Sequence, residues 1–461
     1  YLDKEKYRIY LRNIKKNIEK FRKENIPLFS EMEAKQQEYG AISARMNIDV
    51  DGKKLTMQKA SQLLKEVDRK KREIIYNKIN ERRLKDEKAL DDLYDKLIIL
   101  RQKIAKNANF DNYRDYMFAA MGRFDYTPED CFNFHDAIKN EIVPIITKFE
   151  QKRKQRLGLK YYKPWDTQVD IDGLSPLKPF EGSTDLINKS IKCFKRLRPY
   201  FGDCLTTMQK MKHLDLESKK GKAPGGFMYP LYEIGVPFIY MNAVGSQRDL
   251  VTMVHEGGHA VHSFLCRTLP ITDFKSTPSE VAELASMSME LLTMDHWDVF
   301  YNNKDELRRA KLEQLEKSLE TLPWVASIDK FQHWVYTTEH TAEQRKKKWT
   351  EITKELGNQV IDWENNEDAL ANLWQKQLHL YEVPFYYIEY GMAQLGAIAM
   401  WRSYKKNGDQ ALKKYMEALK LGYTKSISEI YNTAGIEFNF SAHYVKELAD
   451  FIKKELKELE D

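Results

Sequence analysis

The chain is expected to be mainly α, and three observations carry that expectation. Residues 1 to about 105 form an almost unbroken series of amphipathic helical patterns. After Thr277 the chain returns to long helical repeats, closing with a Lys/Glu-rich face over Ser441–Leu459. Between them lies His255-Glu256-Gly257-Gly258-His259, whose two imidazoles four residues apart point the same way on a helix and can then grip one ion. At 461 residues the chain is long enough for two lobes. The boundary is expected near residue 105, with 1–105 as an N-terminal helical lobe and 106–461 as the catalytic region.

In chain order, the first helical series breaks at Asn47-Ile-Asp-Val-Asp-Gly52, where Asp-Gly marks a turn before Lys53–Thr56. That run lacks the twelve-residue ligand pattern of a calcium loop. Tyr161–Pro179, with its Pro, Trp and alternating residues, reads as a surface linker containing a short strand. Gly221-Lys-Ala-Pro-Gly-Gly226 reads as a flexible loop and lacks the Gly-Lys-Ser/Thr ending of a phosphate loop. Val236-Pro-Phe-Ile-Tyr-Met-Asn242 reads as a strand. Pro237, which cannot donate to a ladder, argues for an edge position open to an extended peptide.

Ser246 and Asp249 have the spacing of a capping box and predict the start of the helix that carries His255 and His259. Gly257 and Gly258 each cost about 1 kcal/mol relative to Ala inside a helix. Their presence predicts close approach of a neighbouring helix or of substrate. Two imidazoles at this spacing can grip one zinc ion while the intervening Glu256 takes a proton from a water that the ion acidifies. The pattern also arises by chance, so a third ligand is needed. Glu280 and Glu283 are the candidates. With Thr277 as N-cap and Pro278 as first helical residue, Glu280 falls at the third position and has a capping role. Glu283 lies a turn deeper, among Ala285, Met287 and Met289, where a buried carboxylate needs a partner. Glu290 lies on the same face. It is a candidate to support a ligand, with an ordinary ion pair as the alternative.

The run Pro237–Asn242 followed by His255-Glu-Gly-Gly-His-Ala-Val-His262 resembles the M3 family of metallopeptidases, the thimet oligopeptidase and oligoendopeptidase F group. Pro278, Ser279 and Glu283 match the context of that family's third zinc ligand. Val383-Pro-Phe-Tyr-Tyr-Ile-Glu-Tyr-Gly391 is most similar to the oligoendopeptidase F and Pz-peptidase-like branch, and the likeness extends from about Leu28 to the C-terminus. The resemblance implies one Zn2+ held by His255, His259 and Glu283, and Glu256 as general base. It implies hydrogen-bond donation to the developing oxyanion by His379 and Tyr390, then Tyr387, from a glycine-containing loop. Tyr386 is the tyrosine expected to pack, and read without the resemblance, Phe385-Tyr-Tyr-Ile is an aromatic core segment. Two helical lobes flanking a deep substrate channel, with a small β-sheet beside the zinc helix, are implied as well. So is endopeptidase action on short unstructured peptides in the cytoplasm by a monomer. A C-terminal dipeptidyl carboxypeptidase, or a peptide-binding protein with an impaired site, is the alternative. Relatives carry residues ahead of the point where this chain opens with Tyr1. Part of the lobe walling the cleft is therefore expected to be missing or rebuilt.

Composition closes off other classes. The net charge of +6 is small against 75 basic and 69 acidic residues, and implies no dedicated nucleic-acid surface. The runs Lys65–Arg72 and Lys152–Lys160 are interleaved with acids or hydrophobes and read as solvated faces. No stretch approaches the roughly 20 apolar residues of a membrane span. The four cysteines, Cys131, Cys193, Cys204 and Cys266, are widely spaced, show no metal-ligand pairing and are expected to be reduced.

Overall fold

The computed structural model describes residues 3–219, 222 and 225–460. It is mainly helical, with 69% of the chain in helices, and carries two small sheets. The glycine loop read at 221–226 lies largely outside the described residues.

The chain divides into two compact units, each assembled from separated stretches. The first comprises the segment up to Ile14, Pro176–Thr321 and everything from Glu389 onward; the second comprises Lys15–Ser175 and Leu322–Ile388.

In the second unit, the turn expected at Asp-Gly joins strands β1 (Asn47–Val50) and β2 (Lys53–Thr56) in a hairpin. Asp51 and Gly52 both take positive φ, as a two-residue hairpin turn requires. Tyr161–Pro179 departs in part from expectation. It contains no strand, only a single 3-10 turn at Pro164–Asp166, and Tyr162, Trp165 and Asp166 are buried, whereas Tyr161 and residues 172–176 lie on the surface as the linker reading expects.

The reason for that burial is an ion cluster. Arg69 Nη2 and Arg72 Nη2 donate to the Asp166 carboxylate at 2.8 and 2.9 Å, and Lys163 N donates at 3.0 Å. Burial opposes ionisation of Asp166, but Arg69, the Lys163 N–H and Arg72 together hold its carboxyl below the usual range. Asp166→Asn is therefore expected to destabilise the fold by about 3 kcal/mol, because two cations lose their buried anion. A depressed carboxyl contributes stability above its unfolded pKa and loses it as the pH falls through the folded value. Acid unfolding of the two proteins should thus converge at low pH; parallel curves would contradict this.

The first unit holds β3 (Leu214–Glu217), β4 (Gly226–Tyr229) and β5 (Phe238–Ala243), in the order β3-β5-β4. β5 pairs parallel with β3 (Leu214 opposite Ile239) and antiparallel with β4 (Tyr229 opposite Phe238). The strand read at 236–242 is therefore central rather than at an edge. Pro237 is compatible with this because the strand begins one residue later, so its missing N–H is never asked for by the ladder. The edge strand beside the motif helix is β4. A Cβ on Gly226 would stand 2.8 Å from Thr252 Cγ2 of that helix.

The helix Gln247–Cys266 starts at the Ser246/Asp249 capping box, with Asp249 N donating to Ser246 Oγ at 3.3 Å and Ser246 N donating to Asp249 Oδ2 at 2.9 Å. It packs against the helix Ser279–Leu292, almost all of which is buried. Gly258 is the contact point: a Cβ there would lie 2.7 Å from both Ala285 O and Ser286 Cα. A Cβ on Gly257 would meet the Phe194 ring at 2.5 Å. The two glycines thus allow a helix crossing that side chains would prevent. Thr277 is not the cap of the second helix. The N-cap is Pro278, extended at ψ 153° and without a side-chain hydrogen bond, which moves Glu280 to the second helical position.

Candidate metal centre

His255 and His259 project from one face of the helix Gln247–Cys266, with ring centroids 4.9 Å apart and planes nearly perpendicular. Glu283 faces them from the helix Ser279–Leu292. Its Oε2 lies 3.3 Å from His255 Nε2 and 3.7 Å from His259 Nε2. Donors each about 2.1 Å from a common tetrahedral ion stand about 3.4 Å apart. Two imidazole nitrogens and a carboxylate oxygen at these separations therefore fit zinc.

The surrounding groups reinforce that fit. Glu290 Oε1 accepts from His255 Nδ1 at 2.6 Å, and its Oε2 accepts from Gln314 Nε2 at 2.7 Å. Ser286 Oγ donates to Glu283 Oε2 at 2.9 Å. His255 and Glu283 are thereby held in orientation by a neighbour, with His255 Nε2 turned toward Glu283. Burial opposes a positive charge on His255, but hydrogen bonds to Glu283 and Glu290 hold its pKa well above the ordinary value. His255 and His259 similarly push the Glu283 carboxyl down to about 2 against the effect of burial. Two carboxylates on a pair of imidazoles make this a place for a cation.

Glu256 is buried on the same helix. Burial lifts its carboxyl above the usual range, and it accepts a hydrogen bond from the backbone of Met228 in β4. Glu256 is thus tied to the edge strand.

In the second unit, His379 lies on the one-turn helix Leu378–Glu382. Buried Arg101 pins that turn by donating to Leu380 O at 2.9 Å and also to Tyr381 O. Gln377 Nε2 donates to His379 Nδ1 at 2.7 Å, and Trp324 Nε1 in turn donates to Gln377 Oε1 at 3.0 Å, so the proton of a neutral His379 sits on Nε2. The Tyr387 ring is edge-on to His379 at 4.8 Å, with Tyr386 stacked at 6.0 Å. Phe385 is wholly buried and takes φ +66°, with its N–H donating to Gln332 Oε1 at 2.6 Å. Phe385 and Ile388 are core residues, as expected of an aromatic core segment, whereas the tyrosines are only partly buried. Tyr390 and Gly391 lie within the helix Ile388–Asn407, not on a loop.

A sequence model described as peptidase family M3 matches residues 62–450. The chain belongs to peptidase family M3. Within it, the chain falls in the oligoendopeptidase F and Pz-peptidase-like branch. It is 24% identical over 307 residues to an oligoendopeptidase F homolog of Borreliella burgdorferi, a match covering 66% of this chain and 51% of that one. It is 23% identical over 364 residues to the oligopeptidase PepF of Bacillus subtilis, covering 77% and 52%. The chain thus spans about half the length of these curated relatives. Among solved structures, Pz peptidase A bound to an inhibitor superposes with a TM-score of 0.90 at 26% identity, covering 98% of this chain and 80% of that one. Members of family M3 are zinc-dependent.

Sequence reasoning missed three supports. Ser286 stands at the i+3 position from Glu283 and was findable from spacing. Gln314 and the Met228 backbone reach the site from segments that no local pattern connects to it.

The arrangement yields one direct test of a supporting residue. Glu290→Gln keeps the shape but replaces an anion on His255 with an amide. Zinc affinity at this site is expected to fall by about 10–100-fold. Competition with a chromophoric chelator measures it, and an unchanged affinity would make Glu290 a structural ion-pair partner only.

Proposed function

We propose that this chain is a zinc-dependent endopeptidase that hydrolyses internal bonds of short unstructured peptides. His255, His259 and Glu283 hold the metal, and the convergence of these three donors is the observation that carries the reading. A zinc ion held there supplies a Lewis acid that polarises a carbonyl and acidifies a water. Glu256 removes the water's proton and then delivers it to the leaving amine; its raised carboxyl suits both directions of transfer. His379, Tyr390 and Tyr387 donate hydrogen bonds to substrate and to the developing oxyanion, a role taken from the family motif. The fixed tautomer of His379, with its proton on Nε2, supports donation from that atom.

β4 is the strand we assign to the substrate. An extended peptide added to its edge would be bound through backbone groups, with little demand on sequence. Phe227 and Tyr229, both exposed, would supply the apolar part of the contact. The same strand already touches Glu256 through Met228, so a peptide on it would lie beside the base. The four buried cysteines, none in a disulfide, suit a reducing cytoplasm, and no described helix is long and apolar enough to cross a membrane.

An internally quenched peptide with an amidated C-terminus tests the reading. Cleavage at an internal bond, abolished by chelator and restored by zinc, is expected. Cleavage confined to the free-acid form, two residues from its end, would replace the endopeptidase with a dipeptidyl carboxypeptidase. No cleavage of either form would leave only peptide binding.

A further inference from the structure

The second unit contains a cluster that the peptidase reading does not use. Cys131 and His135 lie one turn apart on the helix Pro128–Ala137, and Asp329 and His333 lie one turn apart on the helix Lys304–Thr337. All four are buried, between 0 and 4% exposed. Ligand atoms of Cys131, Asp329 and His333 fall within 4.8 Å of one another. We propose that Cys131, Asp329 and His333 form a second metal site, taking a thiophilic divalent ion of the zinc type.

Three features support a ligand there rather than ordinary core polarity. Neither ring nitrogen of His333 makes a hydrogen bond, although Nε2 lies 3.2 Å from Asp329 Oδ2; the approach is close enough for an ion pair but out of line for a hydrogen bond. Asp329 Oδ1 is likewise without a hydrogen bond. A buried imidazole without a well-aligned hydrogen bond on either nitrogen is a cost that folded proteins rarely carry, and ligation through Nε2 would satisfy the nitrogen that faces Asp329. Secondly, the 3.2 Å separation of nitrogen and oxygen is close to that expected of two donors on one tetrahedral ion, about 3.4 Å. Thirdly, His135 Nε2 lies 2.8 Å from Asp329 Oδ2, a contact that orients the carboxylate much as Glu290 orients His255.

Thiolate, imidazole and carboxylate together select zinc over magnesium or calcium, which prefer all-oxygen shells. The aromatic wall around His333, from Phe132 at 4.9 Å, Phe385 at 5.5 Å and Phe118 at 6.0 Å, would shield the ion from water. A closed site of this kind is structural. Its neighbour Phe385 belongs to the bend that follows His379, so an ion here would stiffen the segment presenting that residue.

Cobalt(II) substitution tests the proposal, because only this site offers a thiolate and a cobalt thiolate absorbs in the near ultraviolet. Protein purified without chelator is expected to hold two zinc ions per chain and, after exchange into cobalt chloride, to show the charge-transfer band. His259→Ala should lose one equivalent and keep the band; Cys131→Ser should lose the band. One equivalent and no band in the wild type would overturn the site and leave a buried His/Asp/His network. A band that survives Cys131→Ser would assign the metal to another cysteine and overturn it equally. If Cys131→Ser fails to fold, the wild type and His259→Ala still decide. These readouts are independent of peptide hydrolysis, so failure here and failure of the peptidase reading are distinguishable.

Discussion

Glu256→Gln is expected to lower kcat for an internally quenched peptide by about 10²–10⁴-fold or more, with metal content equal to that of the wild type. The substitution is nearly isosteric and leaves His255, His259 and Glu283 untouched, so the metal donors keep their separations. What it removes is a proton acceptor. Glu256 is buried and its carboxyl is raised, so it can take a proton and give it back; an amide can do neither. The Met228 backbone contact discriminates further. The amide oxygen of glutamine still accepts from Met228, so β4 should stay in place and KM should move far less than kcat. Metal analysis beside steady-state kinetics reads both quantities. Equal activity of the two proteins would remove Glu256 from the chemistry. Loss of metal with activity would show instead that the substitution disturbs the donors.

What the sequence made legible was what is local and periodic. The i,i+4 pair of imidazoles, the Ser246 cap and the Asp-Gly turn each depend on residues within a few positions of one another, and the structure shows all three as read. Gly257 and Gly258 were legible as a conflict: two poor helix formers inside a helix imply a tertiary reason, here the Phe194 ring and the backbone of Ala285 and Ser286. The misreadings came from partners distant in sequence. β5 is central because β3 and β4, both earlier in the chain, flank it, and its own residues carry no record of having two neighbours. Trp165 and Asp166 within Tyr161–Pro179 are buried because Arg69 and Arg72, far upstream, pair with Asp166. A cap misplaced by one residue at Thr277 has a different origin. Pro is favoured at the first helical position, but extended backbone at Pro278 makes it the cap itself.

That displaced cap weakens the sequence argument for Glu283 over Glu280, so the choice now rests on geometry and can be tested directly. Glu283→Ala is expected to reduce zinc affinity at this centre by more than the roughly 10–100-fold loss typical of removing an orienting partner, since a direct donor is lost. Activity should fall with it at any zinc concentration that leaves the site empty. Glu280→Ala should leave zinc affinity unchanged. Both carboxylates are buried on the same helix, three residues apart, so burial alone does not separate them. Their surroundings do. Glu283 Oε2 lies within 3.7 Å of both imidazoles and is held by Ser286, whereas Glu280 is not among the described residues whose ligand atoms converge there. Thermal melts of the two variants supply the control. Glu280→Ala should change Tm with metal retained, and Glu283→Ala should lose metal even where its metal-free Tm matches that of the metal-free wild type. Retained affinity in Glu283→Ala, with loss in Glu280→Ala, would move the third donor one turn toward the helix start and reverse the assignment.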